Sequence, residues 1–438
     1  MADPLASVII LGWGGEPYIA PCLNALRQQT YKALEILVVD NGSPDRTAEI
    51  VERGFSEVRL IRTGENLGVA GGNNVGLRAA QGDICVLINA DVVVRPDWLE
   101  HLVGSMQANP QIGIAGAKLL YPDGTIQFAG GLIEAPRGYT YHVGWHEEDR
   151  GQYDTLSDVD LVTGASLAIS RPALEQIGYE DERFFPIDYE DADMSYRARA
   201  AGFRVVLVPQ AAATHHESST LQAGDLARAL ALEAGRLRFV CKHWPHERLL
   251  GEFLPAELDF LGTGPPHRET LFKWVYLKAL HDIDDLVNWR QKLGLGQRIE
   301  SLSVLSELLT QLHRACLPQF AMAATDERLT RILESWFAPA NGRPDLLLSL
   351  HALNPRVESH SPIAWPDWPP GIWPKVVALS QKVARRLLRW YIDPIVQQQN
   401  VVNAAFLHAL ETLSQEVIEL RGRQAAHDAV QRDSLNGS

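Results

Sequence analysis

Cysteine is scarce and scattered: Cys22, Cys85, Cys241 and Cys316 lie far apart, with no C-x-x-C pair. That spacing argues against a disulfide framework and against a cysteine-based zinc site, and it suits a reducing cytoplasm. Long apolar runs are missing as well. None approaches the ~18 residues of a membrane-spanning helix, and the opening Met-Ala-Asp-Pro-Leu has no basic targeting region. Positive charge is in deficit, with 40 Lys and Arg against 54 Asp and Glu and a formal charge of −14. Such a surface is unsuited to phosphate backbones, so no nucleic-acid partner is expected, although an anionic ligand held locally through a divalent cation remains compatible. No Walker loop or dinucleotide fingerprint is present, since neither Gly12-Trp13-Gly14-Gly15 nor the segment from Asn66 to Gly76 has the required spacing.

What is present is a series of short, unalternating apolar runs. Ser7–Leu11, Glu35–Val39, Val58–Arg62 and Ile84–Ile88 read as strands, the most apolar of them buried on both faces, and helical spacing lies between them. Strand, helix, strand in this order implies an α/β fold with a Rossmann-like, mostly parallel sheet and helices on both faces. Helices are expected over Ala48–Arg53, Asp97–Met106 and Met194–Ala201, and strands over Gly113–Lys118, Asp160–Ile169 and Arg204–Val208. The 438 residues are enough for two or three domains.

Ligands in open α/β sheets bind at the carboxyl ends of the strands. The run Ile84–Ile88 stops on Asn89-Ala90-Asp91, so Asp91 is either a metal ligand or, with Asp97, the cap of a following helix. Asp40-Asn41-Gly42-Ser43 ends the second strand and is a ligand loop or a plain turn with a helix cap. The glycine-dense stretch Asn66–Gly76 opens a helix and would let backbone approach a phosphate or a base. Asp188, Glu190, Asp191 and Asp193 crowd a helix start; the macrodipole accounts for one or two of them. Mutual repulsion raises the proton affinity of at least one, which makes it a general-base candidate. His215-His216 reads as exposed surface unless acids lie beside it. His142 and His146 have helical metal spacing, but Gly144 between them favours a solvated loop.

Taken in order, Asp40-Asn41-Gly42-Ser43, Asn66-Leu67-Gly68, Leu87-Ile88-Asn89-Ala90-Asp91, Val162-Thr163-Gly164-Ala165, Tyr189-Glu190-Asp191-Ala192-Asp193 and His215-His216 resemble family 2 glycosyltransferases, in particular the bacterial branch of rhamnosyltransferases of surface polysaccharide assembly. The resemblance covers about Pro4 to Ser219. It implies a GT-A fold, a dTDP- or UDP-linked sugar donor, Mg²⁺ or Mn²⁺, and inversion at the anomeric carbon. Residue by residue, it implies that Asp40 bonds the base and that Leu11, Gly12, Asn66, Gly68 and Asn74 line the nucleoside and sugar. Asn89 and Asp91 stand where the family carries D-x-D, so Asp91 would bind the cation and His215 would complete its site. Asp191 would be the catalytic base, Glu190 its neighbour at the donor, and Thr163-Gly164-Ala165 would adjoin donor and acceptor. There are two departures from the pattern: Asn89 replaces the first acid of D-x-D, and Gly12 and Gly14 stand where relatives commonly carry Asn. Rival readings are a catalytically silent nucleotide-sugar-binding or scaffold protein, which intact Asp91 and Asp191 oppose, and a nucleotidyltransferase, which needs a basic residue that the first loop lacks.

The expected division is a glycosyltransferase domain over 1–245, a helical domain over 246–354, a Pro/Trp-rich connector over 355–374 and a terminal region over 375–438. Asp282, Asp284 and Asp285 read as a solvated helix face rather than a metal cluster. Lys382, Arg385, Arg386 and Arg389 beside Trp390 suggest peripheral contact with the inner face of the cytoplasmic membrane, where a lipid-linked glycan acceptor would be met. Val396, Asn403, Leu410 and Val417 fall seven apart, with Phe406, Leu413 and Leu420 in the companion register, which suggests a coiled coil and a homo-oligomer, or a helical hairpin within the chain.

Overall fold

The structure is a computed structural model and describes residues 3–217, 226–263 and 268–316. The expected connector over 355–374 and the basic helix and coiled coil over 375–438 lie outside the described residues, as does the helical region beyond 316. The chain divides into two compact units, Met1–Val240 and Cys241–Ser438.

The first unit is built on β1 (Ala6–Gly12), α1 (Ile19–Arg27), β2 (Leu34–Asp40), α2 (Thr47–Gly54), β3 (Arg59–Arg62), α3 (Gly68–Ala79) and β4 (Ile84–Asn89). β5 (Val92–Val94), α4 (Trp98–Ala108), β6 (Ile112–Leu120) and the short strands β7 (Ile126–Phe128), β8 (Gly131–Ile133), β9 (Thr140–His142) and β10 (Ser157–Asp158) follow. β11 (Ser166–Ser170), α5 (Arg171–Ile177), α6 (Glu190–Ala200), β12 (Arg204–His215) and α7 (Leu226–His243) complete the order. The ten-stranded sheet runs β10-β12-β6-β11-β4-β1-β2-β3, with β5 on β12 and β7 on β6.

The α/β class is as expected, but the sheet is mixed rather than mostly parallel. β4, β1, β2 and β3 pair parallel, and so do β6 and β12, whereas β11 lies antiparallel between β4 and β6. An antiparallel insertion leaves no trace in the apolar pattern, because a strand buried on both faces reads alike in either direction. β1 and β4 are buried almost throughout, and β1 sits between β2 and β4. Strand order therefore reverses at β1, and the crevice at its carboxyl end, beside Gly12, Asp40 and Asn89, is the topological site for a ligand.

The glycine-dense stretch turns out to be helix, since α3 begins at Gly68 and contains Gly71, Gly72 and Gly76. A Cβ on Gly72 would strike Leu11, and one on Gly76 would strike Ile9. Those glycines bring α3 against β1 rather than backbone against a ligand. Gly12, on the other face of β1, instead abuts Thr47 at the start of α2, so helices cover both faces. Gly68 has φ +74°, and a Cβ there would lie 2.7 Å from Phe185 Cδ2. Gly68→Ala is accordingly expected to destabilise the first unit by roughly 1–3 kcal/mol in urea unfolding; an unchanged midpoint would contradict this packing.

The second unit contains α8 (His246–Arg248), a π-helical turn Leu249–Phe253, α9 (Leu254–Thr263), α10 (Arg268–His281), α11 (Ile283–Lys292) and α12 (Arg298–Ala315). α10 and α11 are separated at Asp282. Asp282 is 3% exposed and pairs with Lys278 and His281, while Asp284 bonds Arg298 at 2.9 Å. Asp282 is thus buried and paired rather than on a solvated face, and among the described residues these acids form no metal cluster.

Candidate active site

The site is assembled at the carboxyl ends of β1, β2 and β4. Parallel register sets Gly12 opposite Asp40 and Leu11 opposite Asn89. Asp40, 7% exposed, accepts a bond from the Ser43 amide at 3.2 Å, and the Asn41 amide donates to Gly12 O at 2.8 Å. Asn41 then ties this turn to the next one. Its Nδ2 donates to Asn66 Oδ1 (3.2 Å) and Gly68 O (3.0 Å), and its Oδ1 accepts from the Leu67 amide (3.0 Å). Asp45 caps α2 through the Thr47 amide at 3.0 Å, so the capping reading of this loop is correct for Asp45 and leaves Asp40 at the crevice.

Asn74 is placed elsewhere. Its side chain bonds Glu180 O (2.9 Å), the Glu180 amide (2.9 Å) and Glu182 Oε1 (2.9 Å), and it is buried. It holds the loop before α6 and is fully engaged there, unlike the nucleoside contact expected of it.

Asp91 lies between β4 and β5 and caps no helix; α4 starts after Asp97, whose side chain makes no capping bond. β12 is the element that brings His215 to Asp91. It continues past a register shift between Val208 and Ala212 and pairs with β5, setting His215 opposite Val92. His215 Nε2 is 3.2 Å from Asp91 Oδ1, and the His216 amide donates to Asp91 O at 3.0 Å. His215 is 9% exposed, not the surface residue its loop-like sequence suggested. Its Nδ1 faces Gln127 Oε1 at 2.7 Å, and Gln127 Nε2 donates to Glu217 Oε2 at 3.1 Å. An amide oxygen only accepts, so Nδ1 carries a proton, and a neutral ring would turn the Nε2 lone pair toward Asp91. Two acceptors at 3.2 Å repel unless a proton or a cation lies between them.

Among the described residues no group of three or more His, Cys, Asp or Glu side chains is arranged to hold a metal ion. The Asp91–His215 pair nevertheless fits a cation that takes most of its oxygen ligands from water and substrate phosphates, as Mg²⁺ does. The Gln127 bond to the back of the imidazole is the outer-shell support such a ligand normally has. Cys22 makes no such contribution: its thiol, buried near the Asn89 carbonyl, is pushed up to about 12 by burial and then by the Asp91 charge.

Asp191 is fixed to the same strand ends through β11. The Asn89 amide donates to Ala165 O at 3.4 Å, and the neighbouring Gly164 amide donates to Asp191 Oδ2 at 2.9 Å. The Ala192 amide holds the other oxygen at 2.7 Å, because α6 starts at Glu190, four residues earlier than the apolar pattern indicates. Asp188 and Tyr189 enter the helix with φ of 79° and 74°, a left-handed turn that presents Asp191 at the helix start. Burial raises the Asp191 proton affinity, opposed by the two amide bonds and by His142.

Residues 7–178 match the model of the family described as Glycosyl transferase family 2. The matched segment is a family 2 glycosyltransferase domain. An O-antigen biosynthesis protein, RfbC, of Myxococcus xanthus is 30% identical over 47% of this chain and 17% of its own length. An N-acetylglucosaminyl-diphospho-decaprenol L-rhamnosyltransferase of Mycobacterium tuberculosis is 28% identical over 50% of this chain and 78% of its own length. An uncharacterised protein, y4gI, of Sinorhizobium fredii is 31% identical over 55% of this chain and 28% of its own length. The chain thus spans under a third of y4gI and of RfbC.

The family 2 domain carries functional candidates that its sequence hid. Gln127 and His142 stand on β7 and β9, inside a segment that reads as a loop because three-residue strands have no usable periodicity. His142 ends β9 with its side chain reached by solvent; desolvation by neighbouring atoms lowers its proton affinity and the Asp191 charge raises it. The domain also buries single carboxyl oxygens without hydrogen bonds, Glu180 Oε1, Asp188 Oδ2 and Glu190 Oε2, while the other oxygen of Glu180 accepts from Asn73 Nδ2 at 3.1 Å. Burial pushes Glu180 up to about 8 and Asp188 up to about 6, and burial with the Asp191 charge pushes Glu190 well above the carboxylate range. A carboxyl that holds its proton more tightly when folded lowers stability as pH rises from its unfolded to its folded value. For Glu180 that window runs from 4.5 to about 8. Glu180→Gln is expected to flatten the decline in unfolding free energy across that window; denaturant titrations at its two ends with parallel slopes for both proteins would contradict it.

Proposed function

We propose that the protein is an inverting, metal-dependent glycosyltransferase that moves a hexose or a deoxyhexose such as rhamnose from a dTDP- or UDP-linked donor to a hydroxyl of a surface-glycan or lipid-linked acceptor. The observation that carries this reading is the joint placement of the Asp91–His215 pair and the amide-held Asp191 at the Asn89–Ala165 junction. The names of the Myxococcus and Mycobacterium relatives support the acceptor class and rhamnose.

Asp40, Leu11, Gly12, Asn66 and Gly68 line the crevice and hold the nucleoside. Asp91 and His215 would hold Mg²⁺ or Mn²⁺, and Asn89 would contribute at the donor. When bound, such a cation neutralises the negative charge that develops on a diphosphate leaving group. Asp191 takes the proton of the acceptor hydroxyl as that oxygen attacks the anomeric carbon opposite the departing diphosphate, and a single displacement inverts the configuration. The two backbone amides fix the direction of its carboxylate, and its raised proton affinity makes it a stronger base than an exposed Asp. Burial and the Asp191 charge favour the protonated form of the adjacent Glu190, which limits the negative charge beside Asp191.

The base must be ionised, so the rate falls as pH drops through a value above the usual carboxylate range. A pH–rate profile is expected to show that acid limb in the wild-type enzyme and to lose it in Asp191→Asn. An unchanged limb in the variant would assign the base to another group.

A further inference from the structure

Trp145 is 60% exposed, the highest value among the described large apolar side chains. A single exposed apolar side chain is ordinary in itself; what sets this indole apart is how it is held. Its Nε1 donates to Tyr121 Oη at 2.9 Å, and its ring lies 4.6 Å from the His146 ring, which in turn stacks on Tyr121 at 4.9 Å with planes 10° apart. His146 has φ 62°, in the left-handed region, and its amide is fixed to Ile126 O at 2.8 Å. The platform is wired to the active site. The Ile126 carbonyl that fixes His146 immediately precedes Gln127 in β7, and Gln127 holds His215.

We infer that the Trp145 indole is a sugar-binding platform for the acceptor, stacking against the C–H face of a pyranose ring. The inference rests on the glycosyl-transfer reading of the neighbouring site. The face of an aromatic ring is negative and the axial C–H bonds of a pyranose are weakly positive, so the two faces attract while the sugar hydroxyls stay in water. With its polar edge bonded to Tyr121, the indole presents an apolar surface that loses little freedom on binding. A donor nucleotide is not the occupant, because Asp40 and the Asn66–Gly68 turn that would hold it belong to the carboxyl ends of β2 and β3, whereas Trp145 follows β9.

The test uses the full chain and a panel of methyl pyranosides of glucose, N-acetylglucosamine, galactose and rhamnose, read by saturation-transfer NMR. At least one is expected to show saturation of its ring protons, with affinity reduced roughly threefold to tenfold in Trp145→Ala and largely restored in Trp145→Phe. Because the side chain is exposed, both variants are expected to keep the wild-type circular dichroism spectrum. UDP and dTDP binding with Mn²⁺, followed by thermal shift, is expected to be the same in all three proteins. If the wild-type chain binds neither nucleotide, the donor reading fails. The platform fails separately if no pyranoside is saturated, or if Trp145→Ala leaves the saturation unaltered.

Discussion

Asp191→Asn is expected to lower the rate of sugar transfer by about 10²–10⁴ while leaving nucleotide affinity within a few-fold of wild type. The substitution keeps the size of the side chain and an oxygen that can accept from Gly164 or Ala192, so the loop before α6 should stay in place. What it removes is the lone pair that accepts the acceptor's proton. A primary or secondary hydroxyl is a weak nucleophile until that proton leaves, and water in a closed crevice is a poor substitute for a carboxylate. Initial rates with a saturating donor, beside nucleotide binding on the same preparation, separate the two effects. Equal losses in binding and rate would mean that the residue shapes the pocket, not the chemistry.

The second large effect is expected at the cation. Asp91→Ala should abolish stimulation by Mg²⁺ or Mn²⁺, and the wild-type protein treated with a chelator should behave like the variant. The reason lies in the number of proposed ligands: only Asp91 and His215 would hold the ion, so the loss of the charged one would leave a single imidazole. Gln127→Leu tests the support behind that imidazole. Removing an outer-shell partner of a metal-bound histidine typically weakens the metal by about 10–100-fold. The Mn²⁺ concentration giving half-maximal rate should therefore rise in Gln127→Leu with little change at saturating Mn²⁺. A variant with wild-type Mn²⁺ dependence would contradict the placement of the ion at His215.

Much of this site was legible before the structure. Apolar runs such as Ile84–Ile88 have one good explanation, a strand with both faces covered, and the acids and amides that end them then fall at the crevice. Asn89 and Asp91 were placed at the crevice this way, and Asp40 was found at a strand end, whereas its binding role and the place of Gly164 came from the family resemblance. Pairings between distant segments were not legible. β12 crosses Pro209 and Ala211–Ala213, where a missing amide and small side chains give a poor strand signal, yet tertiary pairing with β5 carries it on to His215. Asn74 shows the opposite error. Set among glycines it resembled a ligand contact, but its partner is the backbone of Glu180, more than a hundred residues away, and no local pattern signals such a bond. The glycines beside it were misread for a related reason: a position with no side chain suits a phosphate and a close-packed strand equally, and only the contact of α3 with Leu11 and Ile9 decides. Gln127 was hidden because its value depends on His215, which no spacing connects to it.

The measurement that bears most directly on the whole account is a thermal-shift titration of the intact chain with dTDP- and UDP-linked sugars, each with and without Mn²⁺, in parallel with Asp91→Ala. The account predicts that at least one donor raises the melting temperature, that the rise requires Mn²⁺, and that Asp91→Ala loses it. No shift with any donor, or a shift of equal size in Asp91→Ala, would contradict it.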